Sequence, residues 1–254
     1  MSEGKISVAK ENGITTITFF HPQSNSMPGK LLFELAEAIK SSGDDKDVKV
    51  IILKSEGEKA FCAGASFDEL VSIENIEQGK KFFSGFAAVI NAMRKAPKFV
   101  IARVQGKAVG GGVGIASAAD YTLAHESASV KLSELAVGIG PFVVGPAVER
   151  KIGKSAFSAL TINATAWQDA VWAKQCGLYA EVFSSINALD SAVDSLAKTL
   201  AASNPDAMKE LKKIFWRGTE DWDQLLAERA EMSGKLVLSE FTRNAIAKFK
   251  AGVR

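Results

Sequence analysis

Two glycine-containing segments and one glutamate carry the chemical possibilities of this chain. The first segment is Ala60-Phe61-Cys62-Ala63-Gly64-Ala65 and the second is Gly106-Lys107-Ala108-Val109-Gly110-Gly111-Gly112. Each can present an unpaired backbone N–H, and two such donors aimed at one point form an oxyanion hole, which holds negative charge developing on a carbonyl oxygen. Glu134 lies among Leu132, Leu135, Ala136 and Val137. A carboxyl group in apolar surroundings has a raised pKa, which suits proton transfer near neutrality.

Taken alone, the glycine triplet reads first as a tight strand-to-helix crossover that needs glycine for packing. A helix start at the same place would also favour an anion through its free N–H groups and positive dipole end. A dinucleotide fingerprint beginning at Gly110 requires glycine where Ile115 stands, and it fails. Gly153-Lys154-Ser155 matches the end of a phosphate-binding loop, but the first glycine of that motif is Val148 here.

The elements that must position these residues are legible in outline. Ile6 to Ala9 and Ile14 to Phe20 flank Asn12-Gly13 as a hairpin. Pro28 opens a helix marked by Leu31, Leu32, Leu35 and Ile39. Val48 to Leu53 and Phe99 to Val104 are apolar runs that predict buried strands, Arg103 apart. Between them Phe82, Phe83, Phe86, Val89, Ile90 and Met93 mark a long helix ended near Pro97. Val113 to Ala119 reads as helix, and Tyr121 to Ala124 and Ser129 to Leu132 as short strands. From Val143 onward the pattern is helical, including Trp167 to Cys176, with Asn204-Pro205 a clear helix start. A strand-rich core over 1–190 followed by a helical region over 191–254 is the expected division.

Bulk properties narrow the partners. The chain has 254 residues, 47% hydrophobic and 24% charged, which fits a globular protein. Its 31 basic and 29 acidic residues give a net charge of +2, so neither nucleic acid nor an anionic membrane is expected as a partner. Cys62 and Cys176 stand far apart, the N-terminal stretch Met1-Ser2-Glu3-Gly4-Lys5 lacks an apolar signal segment, and no apolar run is long enough to span a bilayer. A cytoplasmic setting is the default expectation. No metal-ligand spacing occurs.

Together these motifs resemble the crotonase superfamily, the enoyl-CoA hydratase/isomerase family, over nearly the whole chain. The two glycine segments resemble its oxyanion loops. Ser133-Glu134-Leu135-Ala136-Val137-Gly138-Ile139-Gly140-Pro141 resembles the segment that carries a catalytic glutamate. Leu160-Thr161, Ala170, Ala173, Gly177-Leu178 and Val182 follow its late helix-turn-strand pattern, and Ser239-Glu240 with Phe249 its terminal helix. The resemblance implies an α/β fold, a crotonase-like spiral of ββα units with a helical C-terminal trimerisation region, assembled as a homotrimer or a dimer of trimers. It implies an acyl-CoA thioester as substrate, with coenzyme A part of that substrate and no separate cofactor. The thioester oxygen would lie between the N–H groups of Ala65 and Gly111, with Glu134 as acid and base. Cys62, Ala63, Asp68, Gly110, Gly114 and Phe142 are the residues expected around the acyl group.

The chain departs from the family pattern at informative places. Two-glutamate hydratases carry their other glutamate three residues after the middle glycine of the triplet, and here that position is Gly114. A single base still moves a proton between carbons of one acyl chain, so double-bond isomerisation is the simplest chemistry left. Hydration of an enoyl-CoA, or of a branched or methylglutaconyl-type acyl-CoA, with a rearranged water site is the alternative, and a CoA-binding scaffold with weak turnover is the reading from another class. Phe142 replaces the aspartate of certain dehalogenases and dienoyl-CoA isomerases, which disfavours those reactions. Asp68 and Glu69 have helix capping as their competing role. Cys62, His21, His125 and the four tryptophans read as packing, interface or surface residues rather than catalytic ones. Gln23 and Ser24 stand where a basic residue often meets the CoA phosphates, leaving Lys248 and Lys250 to take that place. Arg103, in a buried strand, needs a partner that the sequence does not reveal.

Overall fold

A computed structural model describes residues 4–250 of the chain, apart from the side chains of Phe249 and Lys250. The expectations placed on Met1-Ser2-Glu3, on Phe249 and on the Lys250 side chain lie outside the described residues. In chain order the elements are β1 (Lys5–Glu11), β2 (Ile14–Phe20), α1 (Gly29–Asp44), β3 (Val50–Ser55), β4 (Ala60–Cys62), α2 (Phe67–Ser72), α3 (Ile76–Lys95), β5 (Phe99–Val104), β6 (Lys107–Val109), α4 (Gly111–Ala118), β7 (Tyr121–His125) and β8 (Ser129–Lys131). A 3₁₀ turn (Leu135–Val137) follows, then α5 (Gly145–Ile162), β9 (Gln168–Asp169), α6 (Ala170–Gln175), β10 (Glu181–Phe183), α7 (Ile186–Ala201), α8 (Pro205–Phe215), α9 (Trp222–Leu236) and α10 (Glu240–Lys250).

The strands form a six-stranded sheet in the order β1-β2-β3-β5-β7-β10 and a four-stranded sheet in the order β4-β6-β8-β9. β1 and β2 are the antiparallel hairpin, joined through Asn12 and Gly13 at positive φ. β2, β3, β5, β7 and β10 run parallel. Successive pairs β3/β4, β5/β6 and β7/β8 place one strand in each sheet, and helices follow the first two pairs. The fold is thus the expected spiral of ββα units.

The apolar runs are continuous because the large sheet is covered on both faces. Side chains alternate along β3: Ile51 and Leu53 face the main core, while Val50 and Ile52 face Leu189, Val193 and Ala197 of α7. The division expected near residue 190 therefore falls inside a helix that packs on the sheet. Arg103 finds its partner on this helix: its Nε and Nη2 donate to the two carboxylate oxygens of Asp190 at 2.6 and 3.3 Å. Among the described residues no helix is long and apolar enough to cross a membrane.

One expectation needs correction. The stretch from Trp167 to Cys176 opens with β9 before α6, while β10, over Val182, is the strand that the late helix-turn-strand pattern implies. Both strands are only two or three residues long and half-exposed, too short to show an alternating pattern. The helical stretch from Val143 to Thr161 holds two helical segments, as expected, which meet at a kink at Gly153, where φ is 76°.

Candidate active site

The first glycine segment is strapped in place by the loop before α1. Ala63 N donates to Ser24 O at 3.1 Å, Met27 N to Gly64 O at 2.8 Å, and Ser66 N to Met27 O at 3.4 Å. In this parallel bridge Met27 uses both of its main-chain groups, through Gly64 and Ser66. Ala65 lies between them and its N–H has no hydrogen-bond partner among the described residues. Asn25 Nδ2 fixes the approach to β4 by donating to Glu56 O and Ala60 O.

The second segment ends β6 and opens α4. Gly110 N donates to Lys131 O at 2.8 Å, and Gly110 O accepts from Val113 N and Gly114 N. Gly110 has φ 52° and ψ −115°, a conformation that side-chain-bearing residues avoid. Gly111 is the first residue of α4, so its N–H has no carbonyl within the helix and no partner among the described residues. The two segments touch: a β-carbon on Gly64 would stand 3.4 Å from Gly111 N. Two free main-chain donors are thus held beside each other by rigid elements.

Glu134 comes to the same place from the loop after β8. A β-carbon on Gly110 would lie 2.8 Å from Glu134 Oε1, so the carboxyl covers the second loop. The residue as a whole is half-buried, but Oε2 is fully buried and has no hydrogen-bond partner among the described residues. Burial pushes its pKa up from 4.5 to about 7. The following turn is closed by Val137 N and Ile139 N, which both donate to Glu134 O.

A cavity of about 60 Å³ lies between these groups. Its wall brings together Ala63, Ala65, Gly110, Gly111, Glu134 and Phe142 among the residues expected from sequence. Cys62, Asp68 and Gly114 stand outside that wall. Cys62 is fully buried, and burial raises its thiol pKa to about 12, which keeps it protonated. Asp68 accepts from Gln23 Nε2 at 2.7 Å on the outer side of α2. Its neighbour Glu69 accepts from Gly29 N at 2.6 Å, so the carboxylate caps the start of α1. Gly114 is covered by Val144: a β-carbon there would stand 2.5 Å from the valine Cβ and Cγ1. Among the described residues, Glu134 is the one carboxyl group in the cavity wall.

Sequence reasoning missed the apolar half of the wall, chiefly Phe83 and Phe86 of α3, Val144, and Ser233 of α9. The phenylalanines read as core residues of an amphipathic helix, and they are largely buried. What directs Phe86 to the site is Gly111, where a β-carbon would lie 2.1 Å from the ring. A glycine forced by a neighbour's ring carries no separate mark in the sequence.

The chain has relatives among known proteins. The family model described as enoyl-CoA hydratase/isomerase matches residues 9–250. The chain is 32% identical over 236 residues to carnitinyl-CoA dehydratase from Escherichia coli strain K12, covering 93% of this chain and 88% of that one. It is 29% identical over 252 residues to short-chain-enoyl-CoA hydratase from Clostridium acetobutylicum, covering 98% and 95%. A crystal structure of enoyl-CoA hydratase from Bacillus halodurans superposes with a TM-score of 0.87 at 21% identity, covering 95% of this chain and 98% of that one, a likeness of fold.

Proposed function

The chain belongs to the enoyl-CoA hydratase/isomerase family of acyl-CoA enzymes, and within it we propose that this protein shifts the double bond of an enoyl-CoA with Glu134 as its single acid and base. The thioester oxygen accepts from Ala65 N–H and Gly111 N–H. The ionised Glu134 takes a proton from C2 of a 3-enoyl thioester. The electron pair of that C–H bond forms a C1–C2 double bond, the thioester C=O opens, and negative charge collects on the oxygen of the resulting dienolate, whose C3–C4 double bond is still in place. Glu134, now neutral, returns the proton to C4 and leaves the 2-enoyl thioester. The two fixed N–H donors favour the dienolate over the ground state because the charge exists only after proton removal. Losing one such donor typically costs about 3–4 kcal/mol of barrier.

The observation that carries this reading is Val144 packed over Gly114. Hydration by two carboxylates needs a second acid there to hold and activate water, and that space is apolar and filled. The test follows thioester conjugation in the ultraviolet with 3-enoyl-CoA and 2-enoyl-CoA as separate substrates. The expected result is conversion of the 3-enoyl to the 2-enoyl ester without formation of 3-hydroxyacyl-CoA, lost in Glu134→Gln. Faster water addition to the 2-enoyl ester would favour hydration, the activity in the name of the Clostridium relative. Binding of both esters without turnover would favour a scaffold.

For assembly the proposal is a homotrimer or a dimer of such trimers. Exposed apolar side chains support it, among them Ile162, Val171 and Trp167, whose ring carries Lys107 and Lys131 at 5.2 and 4.6 Å. Light scattering that gives the mass of one chain at micromolar concentration would rule it out. The remaining expectations, a role for Lys248 at the CoA phosphates and coenzyme A as the only non-protein group, stand as proposals beside it.

A further inference from the structure

Ser233 is 1% exposed, yet it forms part of the cavity wall. Its hydroxyl has no hydrogen-bond partner among the described residues. It is held there by a close helix crossing: a β-carbon on Gly79 of α3 would stand 2.8 Å from Gly234 Cα, and one on Gly234 would stand 2.6 Å from Lys80 N. With the two backbones in contact, Ser233 has little freedom to withdraw. A hydroxyl facing an apolar cavity without a partner is costly unless something fills its hydrogen bond.

Its position along the cavity follows from α3. Gly111, at the oxyanion loops, packs on Phe86, and Gly234 packs on Gly79. Seven residues of helix separate those two contacts, a rise of about 10 Å. Ser233 therefore lies toward the end of the cavity remote from the thioester. At about 60 Å³ the cavity has room for roughly four to six water-sized groups. Among the described residues the wall holds no lysine, arginine, histidine or aspartate, and Glu134 is its one ionisable side chain.

Resting on the acyl-CoA reading above, we propose that the acyl group is short and uncharged and carries one hydroxyl or keto oxygen at its far end, which hydrogen-bonds to Ser233. A terminal carboxylate would enter this cavity without a counter-charge. A plain alkyl end would leave the serine hydroxyl unpaired, and a site built around such a group rejects the analogue that lacks its partner.

The test is binding calorimetry with saturated esters, which undergo no double-bond chemistry: hexanoyl-CoA, 5-oxohexanoyl-CoA and the dicarboxylic adipoyl-CoA. Wild type should prefer the oxo ester to hexanoyl-CoA by about tenfold and bind adipoyl-CoA most weakly. In Ser233→Ala and in Ser233→Cys, two variants of nearly unchanged volume, the oxo preference should fall to about one. An equal affinity of wild type for the oxo and plain esters, or a preference unchanged in both variants, would overturn the assignment while leaving the isomerase reading intact. Failure of all three esters to bind would overturn both.

Discussion

At the residue scale the account turns on one carboxyl group and the space denied to a second. Glu134 must be ionised to take a proton, so kcat/KM for 3-enoyl-CoA should fall as pH drops below about 7. A flat profile between pH 5 and 8 would contradict that role. The same burial predicts an effect on stability. The native chain binds more protons than the unfolded chain between pH 4.5 and about 7, so stability falls as pH rises through that window. Above it, ionised Glu134 costs about 3 kcal/mol that an uncharged isostere avoids. Glu134→Gln should therefore be inactive yet more stable than wild type at pH 8, with the gap closing at pH 4.5. Urea unfolding of both proteins at the two pH values checks it, and a gap independent of pH would refute it. The partner space gives a second prediction. Gly114→Ala should cost about 1–3 kcal/mol through the clash with Val144, and Val144→Ala in the same chain should relieve most of it. Additive losses in that double-mutant cycle would show that the two positions do not touch.

At the element scale, three pieces of backbone must meet, and α10 holds the third. Gly138, at φ 84°, ends the turn that carries Glu134, and a β-carbon there would stand 2.5 Å from both Phe241 Cδ1 and Thr242 Oγ1 of α10. Gly138→Ala should lower both the melting temperature and kcat, because strain and contact act on the same turn. A variant with unchanged kcat would detach α10 from the site. These meetings divide what was legible in the sequence from what was not. The oxyanion segments and the glutamate are read locally, since each owes its character to its own glycines or apolar neighbours. The long strands and helices are read from periodicity, as Ile51 and Leu53 or Leu31 and Leu35 show. Contacts between distant elements have no such signature. Asp190 as the partner of Arg103, Val144 over Gly114, and Ser233 beside the aromatic wall each depend on a packing register that no local pattern encodes. β9 escaped for the opposite reason: it is shorter than any period it could display.

At the scale of the whole molecule, a buried polar cluster ties the C-terminal helices to the sheet region behind the site. Asp120 accepts from Val100 N at 2.8 Å, from Trp216 Nε1 at 3.0 Å, and from Lys212 Nζ of α8 at 2.5 Å, with Lys212 only 3% exposed. Lys212→Met should cost about 3–5 kcal/mol, since it leaves a buried carboxylate short of its counter-charge. A loss below 1 kcal/mol in urea unfolding would mean that Lys151 and Arg150 already neutralise the site. This cluster lies away from the cavity, and its role is to keep α8 in register with the sheet while α9 reaches the cavity wall through Ser233 and α10 packs on the turn that carries Glu134. On the proposed reading, all of that architecture serves one event, loss of a proton next to a thioester while two main-chain amides hold its oxygen. The most direct measurement is exchange of the C2 hydrogens of butanoyl-CoA in D₂O, followed by NMR. The account predicts that wild type exchanges them and that Glu134→Gln does not; exchange at the same rate in both proteins would contradict it.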